Sequence, residues 1–102
     1  MNPFLGQLIA CARVNADGTA AFARGCATAL PGGAGTGIYT VTMPANSGAD
    51  AANCIVHVDV EGADIAARYA HTTDLVKTIT LRTIIAAPAA VDGVFNVSIW
   101  RV

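Results

Sequence analysis

A chain of 102 residues with a formal net charge of −1 has room for one domain around a single core. Its six Lys and Arg residues stand singly and no apolar run approaches the length of a membrane span, so neither a nucleic acid nor a bilayer is an expected partner. Charged residues make up only 13% and the hydrophobic share of 54% includes 21 alanines, a surface so poor in charge that part of it is expected to lie against other chains.

The chain opens on residues 1–6, read as an amino-terminal arm, and Phe4, Leu5 and Leu8 are read as the apolar side chains of that arm, which have little core to enter. Leu8-Ile9-Ala10-Cys11 fits a lipoprotein cleavage pattern, but the residues before it lack Lys and Arg and the apolar stretch is broken at Gly6 and Gln7. A first strand is predicted over Gln7 to Val14, then a turn at Asp17-Gly18, then a strand over Thr19 to Thr28. The loop LPGGAGTG leads to a strand over Ile38 to Met43, and PANSGADAA is a loop. Asn53 to Glu61 alternates cleanly, with Val56, Val58 and Val60 on one face and His57, Asp59 and Glu61 on the other. Ile65 to His71 reads as a weaker strand, although the alanines of Ala63 to Ala70 also suit a helix. Strands over Val76 to Ile85 and Val94 to Val102 follow, separated by AAPAAVDG; in the last, Phe95, Val97 and Ile99 oppose Asn96, Ser98 and Trp100. Seven strands with polar turns describe an all-β fold, an antiparallel β-sandwich of jelly-roll type in one domain spanning 1–102.

Catalytic and cofactor motifs are wanting. A phosphate-binding glycine loop needs a following helix and a lysine; after Gly32 and Gly37, Ile38 and Tyr39 stand where Lys and Ser or Thr belong, and the sequence runs on as a strand. A metal would have to be held by His57, Asp59 and His71, Ser47 and Ser98 lie in no nucleophile elbow, and Cys54 and His57, three apart on a strand, point to opposite faces. Cys11, Cys26 and Cys54 have neither disulfide-framework nor metal spacing and are expected to be buried thiols of a chain that folds in a reducing cytoplasm, the alternative being one bridge and one free thiol. The carboxylates fall mostly in turns, where they cap backbone donors. No enzyme, metal or cofactor is expected.

The order of four patterns, GTGIYTVTMP (Gly35 to Pro44), NCIVHVDV (Asn53 to Val60), KTITLRT (Lys77 to Thr83) and VDGVFNVSIW (Val91 to Trp100), resembles the carboxyl-terminal β-sandwich domain of bacteriophage tail-fibre and collagen-like virion proteins. Tyr39, Val41, Cys54, Leu81, Arg82, Phe95 and Val97 fall on positions like that family's framework. The resemblance implies a structural role and a homotrimer. With no shaft or collagen repeat before the first strand, the expectation is a capsid decoration or head-spike protein on a virion surface, with self and a major capsid or other virion protein as partners. Phe4, Leu5, Leu8 and Trp100 are the expected contact residues. The alternative is a receptor-binding or lectin-like tip, in which LPGGAGTG, PANSGAD and AAPAAVDG gather at one end of the sandwich to meet a host-surface glycan; none of the three loops carries an aromatic residue.

Overall fold

The computed structural model describes residues 6–85 and 87–102. Among these, eight strands form: β1 (Gln7–Val14), β2 (Ala20–Arg24), β3 (Ala27–Ala29), β4 (Ile38–Thr42), β5 (Cys54–Val60), β6 (Ile65–His71), β7 (Val76–Thr83) and β8 (Phe95–Arg101). They build two four-stranded antiparallel sheets, ordered β2-β1-β8-β5 and β3-β4-β7-β6. The all-β sandwich expected from the alternation is therefore the observed architecture.

The eighth strand arises because the segment Thr19 to Thr28 is not continuous. Gly25 adopts φ 73° and sits so close to β1 that a Cβ there would lie 2.4 Å from the Ile9 carbonyl oxygen. At Gly25 and Cys26 the chain leaves the edge of the first sheet and joins the edge of the second. The alanine-rich Ala63 to Ala70 stretch contributes β6 rather than a helix. Its inward residues Ile65 and Ala67 pack on the core while the whole strand pairs with β7, so tertiary context overrides alanine's helix preference.

Alternation fills the space between the sheets. The first sheet sends in Ala10, Ala12 and Val14 from β1, Phe95, Val97 and Ile99 from β8, and Cys54 and Val56 from β5; the second sends in Tyr39, Val41, Ile79 and Leu81. Tyr39 and Phe95 meet edge to face across the core with ring centroids 5.0 Å apart. The Tyr39 hydroxyl donates to the Ala16 carbonyl at 2.7 Å and accepts from Gly93 N–H at 3.1 Å, joining two loops at one end of the sandwich. Lys77 is fully buried at an inward position of β7, where its Nζ donates to the carbonyls of Thr73 (3.4 Å) and Asp74 (2.9 Å) in the β6–β7 turn.

Loops separate cleanly between the two ends. The Asn15 to Thr19 turn, the loop 30–37 and the residues around Asp92 share one end, because Val14 pairs with Phe95 and Ile38 with Thr80. Residues 44–50 lie at the opposite end with the β6–β7 turn: Met43 N–H donates to the Leu75 carbonyl and Ala51 N–H to the Asp74 carboxylate. The three loops expected to gather into one binding end are thus divided, since β4 is a single strand that carries the chain from one end to the other.

Candidate functional site

The glycine run of the loop 30–37 has φ of 82°, 88° and 63° at Gly33, Gly35 and Gly37, a backbone that turns N–H groups toward one point. That point is filled by the chain itself. Asp92 accepts from Gly35 N–H at 2.5 Å and Gly37 N–H at 2.8 Å, so the place a phosphate would take in a glycine cradle holds an internal carboxylate.

Other carboxylates are used in the same way. Asp17 caps Thr19, which holds its carboxyl below the ordinary value; Asp50 caps Ala52 and Asn53, and Asp74 caps Ala51. Glu61 pairs with Arg13 at 2.5 Å, and Arg13 also donates to the Asn96 side chain at 3.3 Å.

Residues considered for metal binding are kept apart. His57 and Asp59 lie on the outer face of β5, whereas His71 sits at an inward position of β6 opposite buried Lys77. Among the described residues no three His, Cys, Asp or Glu side chains converge on a point that could hold an ion. Cys54 is buried and His57 exposed on the other face of the same strand. Cys11 and Cys26 are half-buried free thiols; burial, then the neighbouring Cys11, pushes the Cys26 thiol above its ordinary pKa. No helix among the described residues is long and apolar enough to cross a membrane.

The outer face of the first sheet carries four exposed large apolar side chains, Leu8, Phe22, Ile55 and Trp100. Leu8 is not part of an arm but a residue of β1, directly opposite Trp100 of β8, and Trp100 is directly opposite Ile55 of β5. All three are exposed, at 44%, 37% and 51%. A β-bulge at Ile9 produces this row: the extra residue lets Leu8 face outward with Trp100 while Ala10, two positions on, faces inward with Ile99. Trp100 is fixed by its indole N–H, which donates to the Ser98 hydroxyl at 3.1 Å. Beside the row a shallow trough of about 270 Å³ crosses the sheet over Cys11, Ser98 and His57, and Phe22 of β2 forms part of its lining.

Two of the four contact residues expected from the sequence, Leu8 and Trp100, are thus neighbours on one surface. Phe4 and Leu5 lie outside the described residues. Ile55 and Phe22 complete the surface and were missed. For Ile55 the signal was present, since it shares a register with His57 and Asp59 and is an apolar residue on a polar face.

No protein-family model matches this chain, and neither a curated protein nor a solved structure matches it significantly.

Proposed function

We propose that this chain is a non-enzymatic virion structural protein that decorates a capsid, working by association through the outer face of its first sheet. The observation that carries the reading is the row Leu8–Trp100–Ile55, three large apolar side chains held in register on a rigid strand framework and turned away from the core. Burying such a row against another protein releases water at roughly 25 cal/mol per Å², and an aromatic residue at its centre has the character of an interface anchor. The low charge of the chain and the ordered resemblance of its strands to virion β-sandwich domains support the same reading. Several such contacts per particle give avidity without a tight single contact.

The glycan-binding alternative loses support from the separation of the three loops. Imaging particles assembled with and without the protein tests the proposal: density lost from the capsid exterior supports decoration, and unchanged capsids with density lost at a tail tip contradict it.

A further inference from the structure

The second sheet presents a different outer face. Its four strands contain no Asp or Glu at all, and most outward positions are alanine or threonine. Two arginines interrupt this surface. Arg68 of β6 is opposite Thr80, and Arg82 of β7 is opposite Ala66, so the two are diagonal neighbours on one face, with backbones about 7–8 Å apart. Like charges at that spacing repel, and nothing on the sheet compensates them: among the described residues the one ion pair, Arg13 with Glu61, belongs to the other sheet. Arg82 is steadied by a bond from Nη2 to the Pro88 carbonyl at 3.3 Å, while Arg68 makes no hydrogen bond among the described residues. Both line a groove of about 530 Å³ whose walls include Thr80, Ile84 and Pro88.

We infer that this groove binds an acidic segment of a partner protein, with a carboxylate between Arg68 and Arg82 and an adjoining apolar side chain against Ile84 and Pro88. The inference rests on the proposed role in association and adds the chemistry of the partner. Guanidinium forks match planar carboxylates two bonds at a time, and among the described residues no carboxylate pairs with either arginine. Ile84, 58% exposed beside the arginines, gives the groove the mixed apolar and cationic character of a protein contact. An acidic sugar is the less suitable occupant because no aromatic platform lines the groove.

The test is a titration of the isotope-labelled full chain with the blocked peptide Glu-Leu-Glu-Leu-Glu, followed through amide resonances. Shifts are expected at Ala66, Arg68, Thr80, Arg82 and Ile84, weakening with added salt. The variant Arg68→Ala/Arg82→Ala, whose two side chains are exposed, should keep its melting temperature and bind about tenfold more weakly or worse. Equal binding of the peptide with Gln for Glu, shifts elsewhere on the surface, or undiminished binding by the double variant would overturn the inference. So would binding of a sulfated oligosaccharide in place of the peptide, or the same shifts produced by raising the protein concentration alone. Failure here with particle association intact removes this inference only; failure of particle association with peptide binding intact removes the proposed function.

Discussion

Leu8 and Trp100 come from opposite ends of the chain and stand directly across from each other on β1 and β8, both turned to the outside of the first sheet. The next inward pair is Ala10 with Ile99, both almost completely buried. One register therefore assigns adjacent residues to opposite tasks, Ile99 to the core and Trp100 to the surface.

That division predicts a sharp contrast between sequence neighbours. Ile99→Ala should cost about 2–5 kcal/mol of stability, because it opens a cavity between the sheets. Trp100→Ser should cost less, about 0.5–2 kcal/mol, since it forfeits the cross-strand contacts with Leu8 and Ile55 but opens no cavity between the sheets. Chemical denaturation of the two variants measures both.

Tyr39→Phe removes the hydroxyl that joins the Ala16 carbonyl to Gly93 N–H. The ring and its contact with Phe95 remain, so the loss isolates the two hydrogen bonds and should amount to about 1–3 kcal/mol. Hydrogen exchange at Gly93 should quicken with it.

Asp92→Ala empties the glycine cradle. Loss of two charge-assisted bonds to Gly35 and Gly37 should destabilise the fold by about 2 kcal/mol. Amide exchange at those glycines should rise well before that of β4. Unchanged exchange would mean that the loop holds its shape without the carboxylate.

His71 predicts the acid response. Burial, with a further push from the Lys77 ammonium, lowers its pKa below the ordinary imidazole value, and its buried Nδ1 has no hydrogen-bond partner among the described residues. Lys77 faces it across the β6–β7 pair and Tyr69 packs on its ring edge to face. The folded state thus favours neutral His71. Its contribution to stability is complete above the unfolded pKa of about 6.5 and is lost as pH falls through the lower folded value. Melting temperature measured from pH 7.5 to pH 4.5 should fall less steeply in His71→Gln than in the parent chain.

Most of the architecture was legible because period-two alternation is strong where one strand face is buried: Val56, Val58 and Val60 in β5, or Phe95, Val97 and Ile99 in β8, could face only one way. The break between β2 and β3 was not legible. A single glycine in a β-prone run gives no sign that the Ile9 carbonyl will approach it. Lys77 also escaped attention, since a lysine reads as a surface residue unless carbonyls from its own turn receive its ammonium. Trp100 was recognisable as outward from its own strand, but its meeting with Leu8 depends on a bulge at Ile9, and pairing between distant strands leaves no local trace. Ile55 is legible within its own strand, as an apolar residue on the outer face it shares with His57.

The proposed association runs through the row Leu8–Trp100–Ile55. Co-sedimentation of purified protein with capsids lacking it, compared with the triple variant Leu8→Ser/Ile55→Ser/Trp100→Ser after its fold has been checked by melting, tests that claim most directly. Saturable binding by the parent chain and its loss in the folded triple variant are expected. Undiminished binding by that variant, or no binding by the parent chain, would contradict it.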